Sequence, residues 1–230
     1  MAFPYLAVAV WGLVLWAADP YTSQRERMVS EQIEARGVRN PAVLKVMRAT
    51  PRHLFVPEAL RSQAYVDSPL PIGLGQTISQ PYIVAVMTEL LRPDKSSKAL
   101  EIGTGSGYQA AVLAPLVRQL YTIEIVPELA KRSAELLKQL GYTNITVRQG
   151  DGYLGWPEEA PFDRIILTAA PGEIPKALVA QLKPGGVLVA PVGGTVLGQD
   201  LIVLEKAADG KIRERSVFPV RFVPMVRGKG

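Results

Sequence analysis

The sequence contains no cysteine and a single histidine, His53. The absence of cysteine excludes disulfides, thiolate zinc sites, iron–sulfur clusters and catalysis by a cysteine nucleophile. One histidine cannot form a histidine-rich metal centre and disfavours a histidine-based triad, so we interpret His53 as structural and expect no metal site. The chemistry therefore has to come from carboxylates, hydroxyls, backbone amides and a bound cofactor.

Clustered charge is also missing. Lysine and arginine outnumber the acidic residues by 26 to 21, a net charge of +5, but no basic run or arginine-rich arm concentrates that charge. We therefore expect no nucleic-acid partner. With 230 residues, of which 48% are hydrophobic and 20% charged, the chain has the composition of one large folded domain.

The first 18 residues, MAFPYLAVAVWGLVLWAA, carry no charged side chain. This stretch is at the lower length limit for a membrane span and ends in two alanines, but it lacks the basic residues that precede the apolar run of a signal peptide. Three interpretations stay open: an export signal, a membrane-associating tail, or an extension from an upstream start codon. We assign residues 1–20 to this leader and residues 21–230 to a single domain.

Most of that domain alternates short apolar runs with helical segments, which predicts an α/β fold. The apolar runs are residues 99–102, 120–125, 145–147, 164–167 and 187–192, and the helical segments are 108–117, 127–140 and 175–182. Two later runs, 201–205 and 212–220, flank the turn signal Asp209-Gly210. We expect a Rossmann-like, mostly parallel central sheet with helices on both faces and antiparallel C-terminal strands.

The N-terminal part of the domain, residues 21–91, has a different character. Ser23 and Glu26 match a capping box, which predicts a helix that ends at Gly37. Further helices are predicted at Asn40-Pro41 and at Pro81, with loops and short elements between them. We expect this segment to wrap over the sheet as a cap of helices and loops.

The first predicted strand ends in a glycine loop, LEIGTGSGY, at residues 100–108. In open parallel sheets the ligand lies beyond the carboxyl ends of the strands, where glycines let backbone amides approach it. Tyr108 stands where a dinucleotide fingerprint needs its third glycine, and the chain has no nucleoside triphosphate loop. Gly103, Thr104 and Gly105 are therefore candidates for binding another nucleoside cofactor.

Acidic residues at the ends of the neighbouring predicted strands narrow the choice of nucleoside cofactor. Glu124 ends the second strand, 21 residues after Gly103, where a carboxylate can accept hydrogen bonds from both ribose hydroxyls. Asp151, followed by Gly152, lies in the turn after the third strand and can accept a hydrogen bond from an adenine amino group. With Glu101 below the loop holding the amino-acid end through bridging groups, these residues predict a pocket for S-adenosylmethionine.

Longer stretches resemble the protein-L-isoaspartate O-methyltransferases, a class I family that depends on S-adenosylmethionine. The glycine loop would fit any class I methyltransferase, whereas GQTISQP before it and RFVP near the C-terminus are specific to this family. The matching stretches span about residues 23–227: PRHLFVP (51–57), LPIGLGQTISQPYIVAVMTELL (70–91), ALEIGTGSGYQAAVLA (99–114), QGDG (149–152), PFDRIILTAA (161–170), LKPGGVLVAPVG (182–193) and RFVPM (221–225).

The resemblance implies a repair enzyme that methylates the free α-carboxylate of L-isoaspartyl residues in damaged proteins and peptides. By motif match, Ser79 takes the active-site position, and Thr77, Ile78 and Ser79 form the loop that binds the substrate carboxylate, with residues 21–91 as the substrate cap. We interpret Ser79 as an orienting donor, because a carboxylate with a pKa near about 4 is already a nucleophile at neutral pH. Leu74 departs from the family, whose members commonly carry a polar residue there.

Two other functions stay open, a class I methyltransferase with another substrate and a cofactor-binding module without turnover. Thr168-Ala169-Ala170-Pro171 replaces the motif that adenine amino methyltransferases place after the fourth strand, which counts against the first. We expect a monomer in the cytoplasm, where S-adenosylmethionine is made. Export or membrane association through residues 1–18 is the alternative.

Overall fold

The computed structural model of the protein describes residues 19–194 and 198–228. Residues 1–18, which carry the apolar sequence of the leader, lie outside the described residues, and so do the three interpretations offered for them. Within the described residues, no helix combines the length and the apolar character needed to cross a bilayer.

The chain first forms one irregular helix. It begins as α1 (Thr22–Arg27), continues as a π-helix (Met28–Ile33) and a 3₁₀ turn, and ends at Gly37, which has a φ of 101°. The predicted end is confirmed, but the capping box at Ser23 and Glu26 is wrong. The N-cap is Tyr21, two residues before Ser23, and it makes no side-chain cap, because the backbone oxygen of Asp19 accepts the Thr22 N–H instead.

The rest of the N-terminal segment consists of short elements. Asn40 begins α2 (Pro41–Ala49), and its side-chain oxygen accepts the N–H groups of Ala42 and Val43 at 2.9 and 3.3 Å. After two 3₁₀ turns come a small antiparallel pair and a third helix, whose bounds are β1 (Leu70–Gly73), β2 (Gln76–Ile78) and α3 (Pro81–Leu91). The predicted starts at Asn40-Pro41 and Pro81 are confirmed.

A seven-stranded sheet forms the centre of the molecule. Its bounds are β3 (Lys98–Ile102), β4 (Gln119–Glu124), β5 (Ile145–Gln149), β6 (Phe162–Leu167), β7 (Leu182–Gly194), β8 (Gly198–Lys206) and β9 (Ile212–Val220). In space the order is β5-β4-β3-β6-β7-β8-β9. The first five pair in parallel and the last two antiparallel, which confirms the predicted sheet.

Helices cover both faces of this sheet. The connecting helices are α4 (Tyr108–Leu113), α5 (Pro127–Gln139) and α6 (Lys176–Gln181). On β7, Val187 and Val189 pack into the core that holds the cap, α4 and α5, whereas Leu188 and Ala190 pack into the core that holds α6. This alternation shows why the strands are apolar on both sides.

The reversal of strand order decides where a ligand can bind. The chain runs outward from β3 to β5 and then returns to the other side of β3 with β6. Such a switch leaves a crevice beyond the carboxyl ends of the central strands. The segments that follow Ile102, Glu124 and Leu167 therefore meet at one edge of the sheet.

Candidate active site

A cleft opens at this edge, with about 800 Å³ of space that is partly open to solvent. Val84, Tyr108 and Gln109 contribute to its lining, and the other walls come from six segments that are distant in sequence but adjacent in the fold. They are residues 76–79 of the cap, 102–106 of the glycine loop, 123–126 after β4, Gly152, residues 168–169 after β6, and residues 223–226 near the C-terminus. The cleft thus contains residues from both predicted sites, the substrate-binding residues of the cap and the cofactor-binding residues that follow the strands.

Thr77, Ile78 and Ser79 all line the cleft. Thr77 and Ile78 belong to β2, whose pairing with Pro71 and Leu70 of β1 sets their direction. Ile78 is buried, whereas Thr77 is exposed and Ser79 half-buried. The Ser79 hydroxyl makes no hydrogen bond to another residue of the described chain and lines the cleft, so this group is available to a ligand.

The glycine loop passes close to β6. Gly103 has a φ of 99°, and a Cβ built on it would lie 2.5 Å from the Thr168 hydroxyl oxygen. That hydroxyl donates a hydrogen bond to the Gly103 carbonyl at 2.5 Å, and the N–H of Gly103 donates to the carbonyl of Ile123 at 2.8 Å. Only glycine fits this backbone without strain, and the loop is held between β4 and β6.

Glu124 lies at the floor of the cleft, only 5% exposed. Its Oε2 accepts the Gly105 N–H at 2.7 Å, and its Oε1 accepts the Val126 N–H at 3.0 Å. Two backbone amides therefore fix the carboxylate against the glycine loop. It is well placed to bind hydroxyl groups of a ligand lying across that loop.

Glu101 lies behind the cleft and is fully buried. Thr122 donates a hydrogen bond to its Oε2 at 2.6 Å, and the Thr122 and Thr104 hydroxyl oxygens are 2.6 Å apart. Thr104 in turn lines the cleft. The two hydroxyls are therefore the groups that connect Glu101 to the site.

Burial raises the pKa of the Glu101 carboxyl to about 8; the hydrogen bond from Thr122 lowers the pKa, and the charge of Glu124 raises it further. Its other oxygen, Oε1, has no hydrogen-bond partner among the described residues. The carboxyl is therefore largely protonated at neutral pH.

The turn after β5 contributes Gly152 to the cleft but not the side chain of Asp151. A Cβ on Gly152 would lie 2.3 Å from the Cγ2 of Ile102, so a larger residue would displace the cleft wall. Asp151 Oδ1 accepts the Tyr153 N–H at 2.8 Å, and Oδ2 accepts the Gly228 N–H at 3.0 Å. Asp151 thus ties the C-terminal segment to this turn, and its contact with adenine stays a prediction.

The C-terminal segment 223–226 closes one side of the cleft. The N–H of Ala170 donates to the carbonyl of Val223 at 2.9 Å, and the N–H of Met225 donates to the carbonyl of Ala170 at 2.8 Å. The RFVPM stretch, residues 221–225, is therefore held against the segment that follows β6.

The sequence reasoning missed Thr122 and the cleft-lining role of Thr168. A signal for Thr122 was present, because it is a polar residue inside an otherwise apolar strand. The register pairs it directly with Glu101, which the sequence alone does not show. His53 lies apart from the cleft lining, with its Nδ1 2.8 Å from the Tyr65 hydroxyl and its ring stacked on Tyr21, which supports its structural interpretation.

The residues that line the cleft include one carboxylate, Glu124, and no lysine, arginine or histidine within the described part of the chain. The described residues also contain no cluster of histidine and acidic side chains that could hold a metal ion. Hydroxyls and backbone amides are therefore the polar groups that face a ligand here. This arrangement suits a reaction that needs orientation more than acid–base catalysis.

A family model described as protein-L-isoaspartate(D-aspartate) O-methyltransferase matches residues 23–230. The chain belongs to this family. The methyltransferase is 56% identical over 216 residues to the protein-L-isoaspartate O-methyltransferase of Synechococcus sp. (strain JA-2-3B'a(2-13)), a match that covers 91% of this chain and 88% of the relative. It is 52% identical to protein-L-isoaspartate O-methyltransferase 2 of Syntrophobacter fumaroxidans, with 97% and 94% covered.

Solved structures agree with this assignment. The methyltransferase is similar to a protein-L-isoaspartate O-methyltransferase with a TM-score of 0.78 and 28% identity, over 87% of this chain and 65% of the other. It is also similar to a protein described as the Plasmodium falciparum enzyme in complex with S-adenosyl-L-homocysteine, with a TM-score of 0.75, 25% identity, and 89% and 99% covered.

The predicted family, fold class, activity and cofactor are confirmed. The methyltransferase is a protein repair enzyme that uses S-adenosylmethionine as methyl donor and isoaspartyl-containing proteins as substrates. The roles of its individual residues rest on the geometry described above.

Proposed function

We propose that the cleft binds S-adenosylmethionine across the carboxyl ends of β3, β4 and β5, and that the free α-carboxylate of an L-isoaspartyl residue binds beside it at Thr77, Ile78 and Ser79. One observation carries this proposal: these three residues line the same cleft as Gly103, Thr104, Gly105 and Glu124. Substrate and cofactor therefore meet there without a large movement of the cap, residues 21–91, which contributes the substrate side.

The cofactor side fits a nucleoside with a cationic amino-acid end. A Cβ on Gly103 or Gly152 would collide with Thr168 or Ile102, so glycine at these positions keeps the loop and the cleft wall in the arrangement that leaves the cleft open. Glu124 presents a fixed carboxylate to ribose hydroxyls. Thr104 lines the cleft at the other end, and its hydroxyl is linked through the Thr122 hydroxyl to Glu101, so this end offers a hydroxyl oxygen to the amino-acid end of the cofactor.

Bound S-adenosylmethionine supplies a methyl group on a positively charged sulfur. The chain itself orients the attacking carboxylate: the hydroxyls of Thr77 and Ser79 and the backbone at Ile78 donate hydrogen bonds without the charge of a lysine or arginine. A neighbouring cation would lower the nucleophilicity of the carboxylate oxygen. Alignment of the reacting groups can contribute about 7 to 11 kcal/mol, so no general base is required.

The transfer forms one O–CH₃ bond and breaks one S–CH₃ bond, with the bonding electrons left on sulfur. Ser79 orients the carboxylate and forms no covalent bond. The backbone nitrogen that follows the ester then attacks the ester carbonyl, which closes a succinimide and releases methanol, and water reopens the ring partly as normal aspartate. These later steps need no residue of this chain.

We infer that the enzyme works in the cytoplasm as a monomer, because S-adenosylmethionine is made there and the cleft is formed within one chain. Export through residues 1–18 is the alternative. Mass spectrometry of the mature N-terminus separates the two, since cleavage near Ala18 would require translocation.

The test of the proposed function compares two peptides that differ in one linkage. The enzyme is incubated with labelled S-adenosylmethionine and either an L-isoaspartyl peptide or the matching aspartyl peptide. We expect base-labile label on the isoaspartyl peptide alone. Equal labelling of both peptides, or of neither, would contradict the proposal.

Ser79→Ala tests the role of the active-site residue. We expect kcat/KM for the isoaspartyl peptide to fall about 10- to 100-fold, because a hydrogen bond to a charged group contributes about 1.5 to 3 kcal/mol. Cofactor affinity should change little. Ser62→Ala, at an exposed serine outside the cleft, is the matched control. Unchanged kcat/KM in Ser79→Ala, or a covalent adduct on Ser79 in the wild type, would overturn the assignment.

A further inference from the structure

A second groove opens directly beside the cleft, with about 930 Å³ of space open to solvent. It shares Thr77, Ser79, Thr168 and Val223 with the cleft, so the two hollows are continuous. Its other walls are Pro69, Gln80, Ile83, Pro219, Val220, Arg221 and Phe222. A substrate whose carboxylate reaches Ser79 has to place its neighbouring residues in such an adjoining space.

The charge of this groove comes from one side chain. Arg221 is the charged residue among those that line it, and it is exposed. Arg221 forms no ion pair with any acidic side chain within residues 19–194 and 198–228. The carboxylate of Asp67, next to Gln80, is already bound by the side chains of Arg36 and Gln80, at 2.5 and 2.7 Å. The groove therefore presents a net positive charge.

The backbone around Arg221 is well held. The next residue, Phe222, donates its N–H to Gln199 Oε1 at 2.6 Å and accepts from Gln199 Nε2 at 3.1 Å. Gln199 is only 7% exposed, and the carbonyl of Val223 accepts the N–H of Ala170. Arg221 thus projects from a fixed position immediately after β9, while its side chain stays accessible.

We propose that Arg221 is a specificity-determining residue, which selects substrates with an acidic side chain next to the isoaspartyl residue. This inference rests on the proposed function, because it needs the substrate carboxylate at Ser79. An acidic neighbour in the groove is attracted by the guanidinium group, and a basic neighbour is repelled. Exposed pairs of charges are weak, so we expect about a two- to fivefold effect on KM for each kind of neighbour.

The experiment compares three isoaspartyl peptides that carry Glu, Gln or Lys next to the isoaspartyl residue. In the wild type at low ionic strength, we expect kcat/KM to be about 4- to 25-fold higher for the Glu peptide than for the Lys peptide. The ratio should approach 1 in Arg221→Gln and invert in Arg221→Glu. Added salt should reduce the wild-type ratio.

The matched control is Arg215→Gln, at an exposed arginine of β9 that does not line the groove. It should keep the wild-type ratio. Equal kcat/KM for the Glu and Lys peptides in the wild type, or an unchanged ratio in Arg221→Gln, would overturn the inference. If the preference for the Glu peptide over the Lys peptide were also lost in Arg215→Gln, the inference would be wrong too, because the net charge of the protein would then explain the preference.

The two proposals fail in different ways. If the Gln peptide is not methylated at all, the proposed function is wrong. If the Gln peptide is methylated but the Glu, Gln and Lys peptides have equal kcat/KM, only the role of Arg221 is wrong.

Discussion

Two buried carboxyl groups near the glycine loop differ in what surrounds them. Glu124 faces the cleft and accepts two backbone N–H groups, whereas Glu101 lies behind it and accepts one hydroxyl. Hydrogen bonds to the charged form favour a carboxylate, and burial disfavours it. The same side-chain type therefore has different surroundings at the two positions, one open to the cleft and one buried behind it.

Replacement of Glu124 should weaken cofactor binding. We expect Glu124→Ala to raise the Kd of S-adenosylhomocysteine about 10- to 100-fold, because ligand hydroxyls lose a charged acceptor. Isothermal titration calorimetry measures this directly. Glu128→Ala, at an exposed acid in the first turn of α5, should bind as the wild type does. If Glu124→Ala kept its affinity, the pocket would be wrongly assigned.

Glu101 should make the unfolding free energy depend on pH. Its pKa is raised from 4.5 to about 8 in the folded protein. At a pH between 4.5 and about 8, the Glu101 carboxyl is ionised in the unfolded chain but protonated in the folded protein. The free energy of unfolding is therefore highest below pH 4.5 and falls as the pH rises to about 8.

We expect Glu101→Gln to remove this fall, and to be about 1 to 3 kcal/mol more stable than the wild type at pH 8, with little difference at pH 5. Urea unfolding of the apo protein at the two pH values measures it. Glu135→Gln, at an exposed acid of α5, should keep the wild-type slope. Parallel pH profiles for wild type and Glu101→Gln would contradict the argument.

At the scale of elements, the site is formed mainly by the loops that follow the parallel strands, and less by the strands themselves. β3 and β4 end at Ile102 and Glu124, and the loops after them approach each other because the strands are parallel neighbours. The loop after β3 has to turn with a φ of 99° at Gly103 and pass against Thr168 of the next strand end. Its shape is therefore set by two neighbouring elements at once.

Gly103→Ala tests this constraint. A methyl group would lie 2.5 Å from the Thr168 hydroxyl oxygen, in a backbone conformation that alanine rarely adopts. We expect a loss of about 1 to 3 kcal/mol in the free energy of unfolding and weaker binding of S-adenosylhomocysteine. Gly172→Ala, at a glycine with open space around its Cβ position, is the control. Equal stability of the two variants would show that the loop can relax.

At the scale of the whole molecule, the cleft draws on segments that range from residue 76 to residue 226. A ligand in the cleft contacts the cap, the central strands and the C-terminal segment together. Binding of such a ligand should therefore stabilise the folded state as a whole.

S-adenosylhomocysteine at 100 times its Kd should add about 2.7 kcal/mol to the free energy of unfolding. For a domain of this size, that corresponds to a rise in Tm of about 5 to 10 °C. Differential scanning calorimetry measures the shift, with NAD at the same concentration as the control ligand. An equal shift with NAD, or no shift with S-adenosylhomocysteine, would contradict a specific cofactor cleft.

The sequence by itself determined the alternation of strands and helices, the antiparallel C-terminal strands and the candidates at the strand ends. These features depend on local chemistry: apolar periodicity, glycine at tight turns and acids just after buried runs. Ser79, Gly103 and Glu124 line the same cleft, and their roles in binding stay predictions.

Only the tertiary structure decided which groups touch. The register pairs Thr122 with Glu101, Asp151 binds the N–H of Gly228, and Arg221 reaches the groove next to Ser79. Each of these contacts joins residues that are 21 or more positions apart in the sequence. Sequence periodicity predicts which face of its own helix or strand a residue occupies. Strand order, register and packing determine which residue of another element it contacts.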